Sequence, residues 1–301
     1  MSRIHDALKR AEQERATSTG GLAEPVYEQT HPIDAPRESA PSLQPAGATV
    51  MPGLASGMSY EALLARCPQC EWRPDPRTML FFQEEDSRLG AEEFRTLRSR
   101  LYQIREKIPL KRLLVTSALP KEGKSFVSAN LAQVMVRQHG RRALVIDADL
   151  RNPGLHRHLG ASQSPGLTEY LLGECDEFAA LQRGPMENLF LLPAGRVAGS
   201  APELLANGRL KLLLQRVESL FDWIIIDSSP VIPVSDATLV AGACDGILMV
   251  VRSNATPSDV AKRAREEFPD KLLLGVVLNG TPAEDVQRSR YYYGEAVSSQ
   301  A

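Results

Sequence analysis

Residues 116–132 read TSALPKEGKSFVSANLA, and the six residues before them, 110–115, read LKRLLV. An apolar run, a short loop, then small and apolar residues at helical spacing predict a strand, a tight turn and a helix. Inside that unit, 118–125, ALPKEGKS, follows the pattern G-x-x-x-x-G-K-[ST], with Ala118 in the leading glycine place. The spacing has a chemical reason. A loop between strand and helix turns backbone N–H groups toward a phosphate, and a glycine at position 123 lets the chain approach closely. Lys124 then reaches the β- and γ-phosphates, and the Ser125 hydroxyl is placed for Mg²⁺. The expected nucleotide-binding set is Ala118, Lys121, Glu122, Gly123, Lys124, Ser125 and Phe126.

Working outward, apolar β-rich runs recur: RALVID (142–147), NLFLLPAG (188–195), FDWIIID (221–227), GILMVV (246–251) and KLLLGVVLN (271–279). Helical stretches around 203–220, 235–243 and 257–268 separate most of them, and GAEEFRTLRSRLYQI (90–104) precedes the first. Short apolar strands alternating with helices predict a mostly parallel sheet covered on both faces, a three-layer α/β domain over 81–287. Two strands end on acids, Asp147 with Asp149 just beyond it, and Asp227. In such sheets the C-terminal strand ends face the ligand crevice, so these carboxylates are expected beside Ser125, with some Mg²⁺ contacts passing through water. An aspartate at a strand end is alternatively a turn former, a reading that does not account for three of them together.

The totals are those of a globular protein: 301 residues, 43% hydrophobic, 24% charged, net charge −2. The charge argues against a nucleic-acid-coating surface. No run is long enough to span a bilayer, the N-terminus lacks a signal-peptide core, and four cysteines give no disulfide framework, which together predict a cytoplasmic protein. Residues 1–16 read as a short amphipathic helix and 17–80 as a linker, with 288–301 a tail. Cys67 and Cys70 have the spacing of half a zinc ribbon. No second pair follows, so they read as two thiols in a loop unless two chains share a site.

LVTSALPKEGKSFVSANLA, LVIDADLRNPGLHRHLG, WIIIDSSPVIPVSDA and GVVLN, in that order, resemble the bacterial tyrosine kinases of capsule and exopolysaccharide synthesis. The resemblance covers roughly residues 80–293. It implies an ATP- and Mg²⁺-dependent autokinase. Lys124 and Ser125 would hold phosphates and metal, Asp149 and Asp227 the metal, and Asp147 would take the proton of an incoming tyrosine. Asn279 would contact adenine, or is simply a turn residue. The acceptors would be Tyr291, Tyr292 and Tyr293 of RSRYYYGEAV, presented by a neighbouring subunit. Glu92, Arg95 and Arg98, at i, i+3 and i+6, match the E-x-x-R-x-x-R pattern of the family's ring interface, and otherwise form a solvated charged face. The family's membrane activator would be a separate polysaccharide co-polymerase chain, recruiting the protein to the membrane's inner face.

The match has departures. Lys121 replaces the loop's usual second glycine, Phe126 a threonine, and Ser228-Ser229 the usual Thr-Pro, and the tyrosine cluster is short. Two other functions stay open at this level. One is an ATP-driven switch like the positioning ATPases, which carry a lysine where this chain has Leu119. The other is a non-catalytic nucleotide-binding regulator of polysaccharide export.

Overall fold

The computed structural model describes residues 59–82 and 90–286. Seven strands form one sheet: β1 (Arg112–Ser117), β2 (Ala143–Asp147), β3 (Gln182–Arg183), β4 (Leu189–Leu192), β5 (Trp223–Asp227), β6 (Gly246–Arg252) and β7 (Leu273–Asn279). Their spatial order is β3-β4-β2-β5-β1-β6-β7, and every pair is parallel except β3 with β4. The phosphate-loop strand thus lies inside the sheet, between β5 and β6.

Side chains alternate between two apolar layers, as the period of two in a strand requires. Leu113, Val115, Val145, Trp223, Ile225, Leu248 and Val250 face one layer. Leu114, Leu144, Ile146, Ile224, Ile226, Ile247 and Met249 face the other. Both faces are covered, which is why these strands read as continuous apolar runs rather than as alternating ones. The first layer is closed by α2 (Ala91–Arg105), α3 (Lys124–Val136) and α4 (Leu155–Leu159), following α1 (Tyr60–Arg66) in the chain. Against the second pack α5 (Leu167–Leu172), α6 (Glu177–Ala180), α7 (Ala201–Ala206), α8 (Arg209–Val217), α9 (Asp236–Ala241) and α10 (Ser258–Glu266). Every residue of α3 from Val127 to Met135 is buried, the polar ones included.

Two expectations change. The helix expected over 203–220 is broken at Asn207-Gly208, where Gly208 takes φ 81°, a left-handed value that favours glycine. The linker expected over 17–80 does not extend to its end, for 59–80 is built into the domain. Leu63, Cys67, Trp72, Met79 and Phe81 are buried, α1 is capped by the Ser59 hydroxyl, and the Cys70 N–H donates to the Arg183 carbonyl at the sheet's edge. The polar residues of α3 hold this strap. Asn130 Oδ1 accepts from the Leu80 N–H at 2.8 Å, its Nδ2 donates to the Thr78 carbonyl at 2.8 Å, and Gln133 Oε1 accepts from the Phe81 N–H. The helix expected over 1–16, the linker expected over 17–58 and the tail expected over 288–301 lie outside the described residues.

Cys67 is buried with its Sγ donating to the Leu181 carbonyl at 3.3 Å, and burial pushes its thiol up to about 12. Among the described residues no helix is long and apolar enough to cross a membrane.

Candidate functional site

β1 runs straight into the phosphate loop, and α3 begins at Lys124. Gly123 holds the helix's N-cap position with φ 94°, a left-handed value. A Cβ there would stand 1.9 Å from Asn279 Nδ2, so only glycine fits. Lys121 also has positive φ, 65°, where the resemblance calls for glycine. The first intrahelical bond runs from the Val127 N–H to the Gly123 carbonyl, which leaves the amides of Lys124, Ser125 and Phe126 at the positive end of the helix.

The acids arrive by register. Asp147 and Asp227 are directly paired positions on β2 and β5, and Asp227 is also opposite Val115 on β1, two residues before the loop. Ser125 Oγ donates to Asp227 Oδ2 at 2.6 Å, and Ser128 Oγ donates to Oδ1 at 3.2 Å. Lys124 Nζ is 3.0 Å from Asp149 Oδ2, a pair almost entirely out of solvent. Asp147 Oδ2 accepts from the Gly154 and Leu155 amides at 3.0 Å each, and its Oδ1 accepts from the Asp149 N–H at 3.2 Å. The loop after β2 closes on the same centre: a Cβ on Gly154 would sit 2.8 Å from Ser125 Oγ.

The electrostatics follow from burial. Desolvation, then the Asp227 charge, raises Asp147 to about 7. Desolvation also raises Asp227 to about 6, although Lys124 and the Ser125 hydroxyl pull it down. Burial alone would lower Lys124, but Asp227, Asp149 and Asp147 outweigh it, so its ammonium is held. One buried cation thus faces three carboxylates, an arrangement with acidic oxygens to spare for a hard cation. Among the described residues no three acidic, histidine or cysteine side chains cluster closely enough to chelate a metal unaided. That suits Mg²⁺, which keeps waters and shares phosphate oxygens.

The other expected residues are placed as follows. Ala118 is fully buried under the loop. Glu122 turns its carboxylate inward rather than toward the loop mouth, and Asn279 Nδ2 donates to its carbonyl at 2.9 Å. The Phe126 ring packs edge-on against Phe94 at 5.8 Å, so only its amide belongs to the loop. Glu92 and Arg95 form an ion pair at 3.0 Å along α2, while Arg98 donates to the Val134 carbonyl at the end of α3. Tyr291, Tyr292 and Tyr293 lie outside the described residues.

Residues absent from the sequence reading also shape the site. Asp236, fully buried at the start of α9, takes a bidentate pair from Arg151 at 2.7 and 3.2 Å and so ties down the loop beyond Asp149. Its signal was the SDA of 235–237, an acid opening an apolar helix. Thr256 and Gly154 had no local signal. Asn130 and Gln133 had one: polar residues three apart in a helix otherwise small and apolar.

A parallel sheet with a phosphate loop at the inner strand and acids at the neighbouring strand ends defines a nucleotide-binding α/β domain of the P-loop class. The AAA domain family matches residues 122–257. The tyrosine-protein kinase YwqD of Bacillus subtilis is 33% identical over 213 residues, 70% of this chain and 89% of that protein. The succinoglycan biosynthesis transport protein ExoP of Rhizobium meliloti is 32% identical over 219 residues, 68% of this chain but only 28% of that longer protein. Among solved structures, the kinase domain of the Escherichia coli tyrosine kinase ETK superposes with a TM-score of 0.61 at 30% identity, covering 63% of this chain and 75% of that one. This chain belongs to the bacterial tyrosine kinase family.

Proposed function

We propose that the chain is an ATP-dependent protein-tyrosine kinase that modifies its own C-terminal Tyr291, Tyr292 and Tyr293 and regulates exopolysaccharide or capsule synthesis. One observation carries the reading: Lys124 and Ser125, adjacent on the phosphate loop, converge on Asp149 and Asp227 at the strand ends. Phosphoryl transfer asks mainly for alignment and neutralised charge. Lys124 exchanges its partner Asp149 for the β- and γ-phosphates, and the amides of Lys124, Ser125 and Phe126 hold their oxygens. Ser125, Asp149 and Asp227 would hold Mg²⁺, directly or through water, which would supply charge neutralisation at the phosphates. The tyrosine oxygen attacks the γ-phosphorus, the bond to the bridging oxygen breaks, ADP leaves, and Asp147 takes the phenolic proton. A carboxylate raised to about 7 is suited to that exchange near neutral pH. Asn279, with Nδ2 committed to the loop, keeps its Oδ1 for an exocyclic amine of the base.

The acceptor tail comes from a neighbouring copy in a ring that uses Glu92, Arg95 and Arg98. The name of ExoP, a succinoglycan biosynthesis transport protein, supports a role in polysaccharide export, with a separate membrane co-polymerase as the partner that draws the protein to the membrane. Each modified tyrosine gains about −1.5 to −2 charges, which expels the tail and loosens the ring. The test is incubation with ATP and Mg²⁺ alongside Lys124→Met and a variant with all three tyrosines changed to Phe. Phosphotyrosine in the wild type alone supports the kinase, and in a mixture the Lys124→Met tail is labelled. ADP release without phosphotyrosine supports a switch ATPase instead, and binding with neither supports a regulator.

A further inference from the structure

Glu122 sits in the phosphate loop, yet its carboxylate is buried and points away from the loop mouth. Its Oε2 accepts from the Leu119 N–H at 2.7 Å, which folds the loop back on itself. Its Oε1 accepts from the Arg252 N–H at 3.3 Å and from the Thr256 hydroxyl in a short bond. Arg252 ends β6, and Thr256 precedes α10. The circuit then closes through β7: the Ser253 N–H donates to the Asn279 carbonyl at 2.8 Å, and Asn279 Nδ2 returns to the Glu122 carbonyl at 2.9 Å. Three separate segments, the phosphate loop, the β6–α10 loop and the end of β7, are joined in one ring of hydrogen bonds. Both loops take left-handed backbone where they meet, Lys121 at φ 65° and Asn254 at φ 56°, a conformation that non-glycine residues keep only when their surroundings demand it.

We infer that Glu122 is a positioning residue for the nucleotide, setting the phosphate loop through Thr256 and Asn279 rather than touching phosphate itself. The inference rests on the proposed nucleotide site but not on the acceptor being tyrosine. A buried carboxylate with three donors has one satisfied geometry, because each lost donor leaves a desolvated oxygen. The loop amides are thereby held in place before a phosphate arrives, and a preorganised anion site binds more tightly than one that must be assembled. Because Asn279 is also the last residue of β7, the same ring fixes the base-side wall and the point where the chain leaves toward the tyrosine tail.

Thr256→Val keeps the shape and removes the hydroxyl, so it isolates the ring. Titrating Mg·ADP into the full chain, the dissociation constant should rise about tenfold in Thr256→Val and return to within about threefold in Thr256→Ser. The KM for ATP should rise in parallel, with kcat at saturating ATP within about threefold of wild type, the pattern of lost ground-state binding. Combining Thr256→Val with Asn279→Ala should weaken ADP binding by less than the product of the two single effects, since each breaks the same ring. Glu122→Gln should weaken ADP at least as much as Thr256→Val. If Glu122→Gln does not fold, the half-buried Thr256 decides alone. A lowered melting temperature with unchanged ADP affinity in Thr256→Val would mean a merely structural contact and overturn the inference, as would multiplicative single effects. A wild type that binds ADP yet makes no phosphotyrosine would sink the kinase reading and leave this one standing.

Discussion

Asp147→Asn should make the metal-free protein more stable above neutral pH while impairing phosphotransfer. Asp147 and Asp227 face each other across β2 and β5 with no solvent, and the Lys124 ammonium beside them is paired with Asp149. Burial lifts Asp147 from its ordinary 3.8 to about 7. The sign follows from linkage: an acid whose folded value is raised contributes its stability below the ordinary value and loses it as pH climbs through the folded one. The wild type should therefore lose stability between pH 4 and 7. At about 1.4 kcal/mol per unit the Asp147 shift caps the loss near 4 kcal/mol, and sharing the field with Asp227 leaves about 2 kcal/mol to be freed by one substitution. Urea unfolding in EDTA at pH 5, 6, 7 and 8 reads it directly. The variant should be more stable by about 2 kcal/mol at pH 8. At pH 5 the gain should vanish or reverse, because Asp147 is then protonated in the folded wild type, while the asparagine amide group still faces the Asp149 N–H that donates to Asp147 Oδ1 here. Phosphotransfer should fall about a hundredfold or more, as expected for loss of a proton acceptor. Parallel unfolding curves across this range would refute the idea that the pair is held against its own charge.

Two further outcomes follow from the packing. Asn130→Leu strands the Leu80 N–H in the core and frees the half-buried Thr78 carbonyl, so global stability should drop by about 1–3 kcal/mol and protease cutting within 73–82 should accelerate; unchanged unfolding would detach the strap from the domain. Gly154→Ala puts a methyl 2.8 Å from Ser125 Oγ, which should displace that hydroxyl from Asp227 and weaken Mg·ADP binding about tenfold, with little effect in ADP titrations lacking Mg²⁺.

Much of the fold was legible because the phosphate loop carries its own context. The motif needs a strand before it and a helix after it, and the residues on either side supply both. Parallel strands buried on two faces must be apolar throughout, so β2, β5 and β6 stood out as runs, and the terminal acids of β2 and β5 were visible as breaks in those runs. What stayed hidden was set by long-range pairing. The strap of 59–82 has a loop's composition, and its order comes from Asn130 and Gln133, some fifty positions along the chain. The strand order, with β1 between β5 and β6, leaves no local trace. The short helices α4, α5 and α6 depend on packing rather than on periodicity. Glu122 was legible as a loop residue, but its inward carboxylate was not, because its partners Arg252 and Thr256 come from another strand's exit.

Everything in this account turns on Lys124 exchanging an aspartate for a phosphate. A crystal structure with a non-hydrolysable ATP analogue and Mg²⁺ tests it most directly. Lys124 Nζ is expected on the β- and γ-phosphate oxygens and released from Asp149, with Ser125 Oγ and the Asp227 side reaching the ion. Triphosphate bound elsewhere, with Lys124 still 3.0 Å from Asp149, would contradict it.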